Sequence, residues 1–175
     1  METRAAYRES RIKTYGFETM SDLSLLRVLV KQEQMESLGQ TFCRLGEEGA
    51  NFLLVFSQRR GEVLEICLIV TAIWARAIED RLKEVLAGKD ASARSGVPVE
   101  MVFFYGPHFG DRHGILDAAV KGLAARRVKM TAAVCSGSCI YLVLPEGNAE
   151  AAVASLSEVF EIPRAFIQKQ PETRG

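Results

Sequence analysis

Histidine is nearly absent from this chain, whose 175 residues include only His108 and His113. A site that needs an imidazole for proton transfer is therefore excluded or confined to the one stretch that holds both. The phosphate-binding pattern Gly-x-x-x-x-Gly-Lys-Ser/Thr, the dinucleotide fingerprint and the Gly-x-Ser-x-Gly elbow are also missing. No nucleophile–base set is visible, so we predict that the chain is not an enzyme and uses no cofactor.

An excess of one charge is missing as well. Lysine plus arginine number 22, and aspartate plus glutamate also number 22, which argues against nucleic acid and membrane as partners. Apolar runs fall well short of the roughly 18 residues of a membrane-spanning helix. The N-terminus is charged and lacks the apolar segment of a signal peptide. We expect a cytoplasmic protein whose cysteines are buried and reduced: Cys43, Cys67, Cys135 and Cys139.

What is present is one order of elements, β-α-β-β-α, found twice. The apolar content of 48% supports a folded core. Periodicity predicts strands at 25–30, 52–56 and 62–70 with helices at 35–48 and 71–87, and then strands at 99–105, 128–134 and 139–144 with helices at 115–125 and 148–160. With a returning strand, this order predicts an α+β fold of two ferredoxin-like (βαββαβ) units, with antiparallel sheets and the helices on one face.

The predicted organisation has five parts. We expect a polar segment at 1–11, a strand at 12–18, a first unit at 25–98, a second unit at 99–162 and a tail at 163–175. Ser21 and Asp22 predict a turn between the first strand and the first unit. Gly96 and Pro98 are strand-breaking residues, so 88–98 is predicted to be a linker between the units, with a short strand near Val97 left open.

Two short motifs carry a family resemblance. The turn Asp111-Arg112-His113-Gly114 lies between a strand and a helix, and Glu47-Glu48-Gly49-Ala50-Asn51-Phe52 connects a helix to a strand. These residues resemble the ACT-domain family, specifically the tandem regulatory domains of aspartokinases, over about 12–162. No kinase domain precedes the repeat, so a stand-alone regulatory protein is expected.

The resemblance implies more than the pattern alone. One unit would be inserted into the other, so the strand at 12–18 would pair with the sheet of the second unit. A small effector, an amino acid, would bind at a strand-to-helix loop, and the protein would form a homodimer and act on a metabolic enzyme. The implied ligand-binding residues are Gly110, Asp111, Arg112, His113, Gly114, Asn51, Phe52, Ser136 and Ser138.

Two departures from the family pattern concern the first unit. Lys31-Gln32-Glu33-Gln34-Met35 stands where the family loop usually has proline and glycine. Leu53 lies about where lysine-sensitive members tend to have an acidic residue. Both departures predict an altered effector site in the first unit.

The loop at 106–114 suits a ligand on chemical grounds. Its glycines, Gly106, Gly110 and Gly114, let the backbone approach a bound molecule closely. The helix that follows offers N–H groups and a positive dipole end to a carboxylate. Asp111 can accept from an ammonium group, and Arg112 can pair with a carboxylate. The alternative is that Asp111 only caps the helix and the glycines only shape a turn.

Other interpretations of the polar residues stay open. His108, Asp111 and His113 match no zinc-site spacing, and we expect no metal. Across a three-residue hairpin, Cys135 and Cys139 would face each other, either bonded or, as we favour, simply packed. Without a ligand, the same fold predicts an interaction module that dimerises through open sheet edges.

Overall fold

The computed structural model describes residues 11–87 and 91–163. Eight strands and four helices follow one another within these residues. Their bounds are β1 Ile12–Lys13, β2 Glu18–Val30, α1 Met35–Glu47, β3 Phe52–Arg60, β4 Val63–Thr71, α2 Ala72–Leu86, β5 Ser92–Tyr105, α3 Ile115–Ala125, β6 Ala132–Ser136, β7 Cys139–Pro145, α4 Ala149–Val159 and β8 Phe160–Glu161, with a 3₁₀ turn at Gln32–Gln34 before α1. Among the described residues, no helix has the length and apolar character needed to cross a membrane.

The chain divides into two compact units. The inserted unit is Ser21–Val99, and the split unit consists of the described residues before Ser21 and after Val99. Two long strands, β2 and β5, each begin in one unit and end in the other.

The inserted unit has the strand order β3-β4-β2-β5, and β4 is antiparallel to both β2 and β3. Alternate residues of β2 and β4 turn to one face because successive side chains of a strand point to opposite sides. Both helices cover that face with residues spaced at about one helical turn. The resulting core contains Leu26, Val28, Val30, Ile66, Leu68 and Val70 from the strands, and Leu38, Leu45, Ile78, Leu82 and Leu86 from the helices.

In the inserted unit, Gly49 lies at the end of α1 and Gly61 in the turn after β3, as the sequence predicts. Gly49 takes φ 99° after α1, and its N–H donates to the carbonyl of Gly46, as in a left-handed helix end. Gly61 takes φ 63° in the tight turn between β3 and β4, in which Arg60 lies opposite Val63. Thr71 caps α2 by position, although its side chain makes no capping hydrogen bond.

The split unit repeats the design with the strand order β5-β7-β6 and the helices α3 and α4. Its short strands β1 and β8 pair in parallel, with Ile12 opposite Phe160, in a separate two-stranded sheet. The implied pairing of the strand at 12–18 with the main sheet of the second unit is therefore wrong, although β8 belongs to that unit. Glu100 accepts a hydrogen bond from the N–H of Ala149 (2.7 Å) and so occupies the start of α4. The core contains Val102, Phe104, Phe109, Ile115, Ala119, Leu123, Ile140, Leu142, Leu144, Ala152, Leu156 and Phe160. The predicted fold class, α+β with two ferredoxin-like units, is therefore confirmed.

The predicted strand at 12–18 is wrong in its extent, because only Ile12–Lys13 and then Glu18 onward are extended and paired. The Gly16 N–H donates to the hydroxyl oxygen of Thr14 (3.4 Å), and Gly16 takes φ 136°. This local turn interrupts the strand. Thr14 and Tyr15 nevertheless stay within the split unit, where the Thr14 hydroxyl and the Tyr15 N–H donate to the carbonyl of Tyr105 (2.7 and 3.0 Å).

The predicted turn at Ser21 and Asp22 is also wrong, since β2 continues through both residues with Asp22 at φ 55°. The predicted linker at 88–98 is wrong for the residues that are described, because 92–98 belong to β5; residues 88–90 lie outside the described part. A Cβ on Gly96 would overlap the hydroxyl oxygen of Ser24 and lie 3.4 Å from Cδ2 of Leu26. Gly96 thus allows β5 to approach β2 closely instead of breaking the strand.

The hairpin between β6 and β7 is tighter than predicted. Ser136 lies opposite Cys139, and Cys135 lies opposite Ile140, across a two-residue turn that starts with Gly137 at φ 56°. Because neighbouring residues of a strand face opposite sides, Cys135 and Cys139 do not face each other. All four cysteines are free thiols, and only Cys67 is buried, so the expectation that all four are buried is wrong.

Candidate functional site

The loop between β5 and α3 is held at its base by packing. The buried ring of Phe109 meets Phe104 edge to face at 5.9 Å between centroids. Gly106 has no room for a side chain, since a Cβ there would overlap the carbonyl oxygen of Lys13 and lie 2.6 Å from Cε1 of Phe109. The loop therefore leaves the sheet in a fixed direction.

Two successive turns then bring the rest of the loop to the surface. The N–H of Phe109 donates to the carbonyl of Gly106 (3.4 Å), and the N–H of Asp111 donates to that of His108 (3.1 Å). His108 takes φ 62° between them. After these turns Gly110, Asp111, His113 and Gly114 are exposed, and Arg112 is half-buried. The structure thus gathers the five predicted loop residues on one surface of the split unit.

Asp111 does not cap α3, contrary to the alternative interpretation of this residue. The N-cap is Gly114 at φ 83°, and the first helical bond runs from the N–H of Ala118 to the carbonyl of Gly114 (3.0 Å). Asp111 lies three residues before this cap, so it does not cap α3. The N–H groups of the first helical turn have no acceptor within the helix, and the positive end of its dipole lies beside the loop.

The surroundings of the loop glycines leave room for a bound molecule. A Cβ built on Gly110 or Gly114 meets no atom within 4 Å. A small ligand at the start of α3 would therefore have backbone N–H groups on one side and the exposed carboxylate of Asp111 on another.

Ser136 and Ser138 lie in the same unit, at the turn between β6 and β7, and both are exposed. In a ferredoxin-like unit β5 and β6 run in the same direction, because each is antiparallel to β7. The turn after β6 and the loop after β5 thus emerge at the same end of the sheet. Asn51 and Phe52 belong instead to the inserted unit.

Phe52 begins β3, and Asn51 immediately precedes it. Asn51 is exposed, whereas Phe52 packs on Phe42 at 5.2 Å between ring centroids and contacts the core of the inserted unit. The side chain of Phe52 therefore contributes to packing, and only its backbone is left for a ligand.

The loop at residues 31–35 of the inserted unit, which departs from the family pattern, is held by hydrogen bonds between its own residues. The N–H of Lys31 donates to Oε1 of Gln34 (2.8 Å), and the N–H of Gln34 donates to the carbonyl of Lys31 (3.0 Å). The Gln34 side chain is buried. A glutamine thus fills the place at which the resembling domains have a glycine-containing turn.

Metal-binding chemistry has no support in the described part of the chain. No group of three histidine, cysteine, aspartate or glutamate side chains within it is arranged to hold a metal ion.

One polar cluster was not anticipated from the sequence. Glu79 on α2 accepts hydrogen bonds from the Ser95 hydroxyl (2.8 Å) and the Gly96 N–H (3.3 Å) on β5, beside a cleft of about 400 Å³. The interpretation of 88–98 as a linker concealed it. The one available signal was a charged stripe at spacings of three and four on α2: Arg76, Glu79, Asp80 and Lys83.

Comparison with known proteins gives a consistent result. No family model and no curated protein matches this sequence. Among solved structures, the regulatory subunit of aspartate kinase from Thermus thermophilus in ligand-free form has a TM-score of 0.69 at 19% identity, covering 83% of this chain and 97% of that one. The same subunit from Thermus flavus has a TM-score of 0.70 at 18% identity, covering 84% and 98%.

A longer protein is also similar. Escherichia coli aspartokinase III, in complex with lysine and aspartate, has a TM-score of 0.56 at 17% identity, covering 87% of this chain and 34% of that one. At these identities the likeness is one of fold. The chain thus has the ACT-type fold of the regulatory subunits of aspartate kinase, as the motifs around Gly49 and Gly114 predicted.

Proposed function

We propose that this chain is a regulatory protein without catalytic activity that binds a small amino acid at the loop between β5 and α3. The observation that carries the proposal is the arrangement of that loop. Phe109 and Gly106 fix its base, while Asp111 and the start of α3 stay exposed beside two glycines with open space around them. The ligand carboxylate would meet the N–H groups of α3, and its ammonium would meet Asp111.

The interaction of the ligand carboxylate with the start of α3 is too weak to account for micromolar binding by itself. A charge at a helix N-terminus gains about 0.3–1 kcal/mol when exposed and up to about 2 kcal/mol when partly buried. Micromolar affinity needs about 8 kcal/mol. Hydrogen bonds to loop backbone groups, Ser136 and Ser138, together with burial of the ligand side chain, must therefore supply most of the binding energy.

Similarity in fold supports a regulatory role. The similar Thermus proteins are regulatory subunits, and the similar Escherichia coli enzyme is known with bound lysine. By extension we propose a cytoplasmic homodimer that passes the binding signal to a metabolic enzyme through association. Asn51 and the backbone of Phe52 would contribute a second contact region, on the inserted unit.

A ligand-free interaction module is the second candidate. The observation that favours it is the edge position of β3 in the inserted unit, where Val55 is 51% exposed. An exposed apolar residue on an edge strand marks a surface for pairing with another chain.

Calorimetric titration with each of the twenty amino acids separates the two candidates. If the proposal holds, the parent binds at least one, and both Gly114→Val and Asp111→Ala weaken binding. Gly114→Val should have the larger effect, about tenfold or more, because a β-branched residue at φ 83° strains the loop backbone. Asp111→Ala should leave stability nearly unchanged, because Asp111 does not cap α3.

Matched controls lie elsewhere in the split unit. Gly147 also has a positive φ, 78°, with open space around it, so Gly147→Val imposes similar strain away from the loop. Glu146→Ala removes an exposed carboxylate without touching the site. Binding that survives both loop changes would place the site elsewhere, and absence of binding to all twenty amino acids would favour the interaction module.

A further inference from the structure

We propose that the inserted unit carries a second small-molecule site, a cleft between α2 and β5 that accepts a ligand bearing both an ammonium and a carboxylate group. It is separate from the loop between β5 and α3, and all of its lining residues belong to the inserted unit. The cleft measures about 400 Å³, which is large enough for a free amino acid.

Small residues create the space. Ala72 and Ala75 lie one helical turn apart on α2, and Gly96 faces them from β5. β5 lies beside β2 in the sheet, and Ser24 of β2 also lines the cleft, so the sheet forms its floor and α2 its wall.

Glu79 is a preorganised acceptor in this cleft. Its Oε1 accepts from the Ser95 hydroxyl (2.8 Å) and from the Lys83 ammonium, and its Oε2 accepts from the Gly96 N–H (3.3 Å). The bond from Lys83, followed by the bond from Ser95, lowers the pKa of Glu79, which keeps it ionised at neutral pH. Its side chain is 15% exposed. A carboxylate accepts about four hydrogen bonds, so Glu79 keeps capacity for a ligand ammonium.

Arg76 supplies the complementary group. Its side chain is 93% exposed and meets Asp80 only at 3.9 Å, the outer limit of an ion pair. The planar guanidinium is therefore available to bind a carboxylate with two parallel hydrogen bonds. Two cations, Arg76 and Lys83, and two anions, Glu79 and Asp80, line the cleft. This balance matches a zwitterion better than a ligand of one charge.

The competing explanation is purely structural. In that case Glu79 only links β5 to α2 through its hydrogen bonds, and the cleft is a solvent-filled groove. The two explanations differ in one respect: a bound zwitterion requires the open space above Ala72, whereas a structural tie does not. Filling that space without touching Glu79 therefore tests the site directly.

The test is a ¹⁵N-¹H chemical-shift titration of the full chain with each of the twenty amino acids. Acetate and methylammonium, at matched ionic strength, serve as probes with one charge. We expect saturable shifts of the Ser95 and Gly96 amides with at least one amino acid and with neither single-charge probe. Glu79→Gln and Ala72→Leu should each weaken that binding about tenfold or more, because one removes the charged acceptor and the other fills the cleft.

Controls lie on the same helix and outside the cleft. Glu84→Gln and Ala77→Leu change exposed residues of α2 and should leave the titration unchanged. If Glu79→Gln loses its dispersed spectrum, Ala72→Leu alone decides the result. No saturable shift at Ser95 and Gly96, or a shift that survives the decisive variants, overturns the proposal.

The same spectra keep the two sites distinguishable. Shifts confined to the amides of Gly110 and Gly114 would leave the loop proposal standing and reject the cleft. Shifts at Gly96 that persist in Asp111→Ala and disappear in Glu79→Gln would establish the cleft, whatever the outcome at the loop.

Discussion

Glu65 is a carboxylate within β4 that is only 5% exposed. It accepts hydrogen bonds from Nε2 of Gln58 (2.6 Å) and from Nε of Arg60 (2.7 Å). The hydrogen bond from Gln58, helped by the charges of Arg60 and Arg27, lowers the pKa of Glu65, although burial acts in the opposite direction. A charge this well buried is tolerated because its partners lie on the adjacent strands β2 and β3.

We expect Glu65→Gln to destabilise the protein by about 1–3 kcal/mol at neutral pH, since charged hydrogen bonds are lost. The folded pKa lies below the unfolded value of about 4.3. Glu65 therefore contributes stability above that value, and the contribution is lost as pH falls through the folded pKa. Urea unfolding of parent and variant from neutral pH to about pH 3 should show the difference shrinking on the acid side. Glu62→Gln, in the exposed turn before β4, is the control; a difference that stays constant with pH would contradict the assignment.

At the scale of elements, α3 and α4 approach closely because Gly122 has no side chain. A Cβ there would lie 2.7 Å from Cγ2 of Val159. The buried hydroxyl of Ser155 donates to the carbonyl of Gly122 (2.6 Å) across the same contact. A glycine in mid-helix weakens α3 by about 1 kcal/mol relative to alanine, and here that loss permits the packing of the two helices.

Gly122→Ala should therefore destabilise the parent by about 1–3 kcal/mol through overpacking. In a Val159→Ala background the same change should be neutral or stabilising, since the clash is gone and helix propensity improves. A double-mutant cycle from denaturant unfolding measures the coupling. Equal effects of Gly122→Ala in both backgrounds would show that Val159 does not set the helix distance.

At the scale of the whole molecule, we expect a homodimer. Light scattering should give about twice the chain mass of 19.3 kDa at tens of micromolar. Val55→Lys places a charge on the edge strand β3 and should shift the protein toward the monomer. Val97→Lys is the matched control, because Val97 is 52% exposed and lies on β5. A parent that stays monomeric, or a dimer broken by Val97→Lys alone, would contradict pairing through β3.

The sequence by itself determined the repeated order of elements and most of the core. Leu38 and Leu45 on α1, and Ile78 and Leu82 on α2, are buried as their helical spacing predicts. The bounds of α3 were also predictable. These features follow from local geometry, because the period of an amphipathic helix is written into consecutive residues. The loop at 106–114 was likewise visible from its glycines and the helix that follows.

Tertiary structure decided where strands continue and which residues meet. Gly96 and Pro98 indicate a break by local rules, yet β5 runs through both, since the missing side chain of Gly96 admits Ser24. Gly114 rather than Asp111 caps α3, because the buried ring of Phe109 sets the path of the loop. The cleft beside Glu79 joins residues of β2, α2 and β5. Contacts among these three elements depend on strand pairing between residues far apart in sequence, and local periodicity cannot predict that pairing.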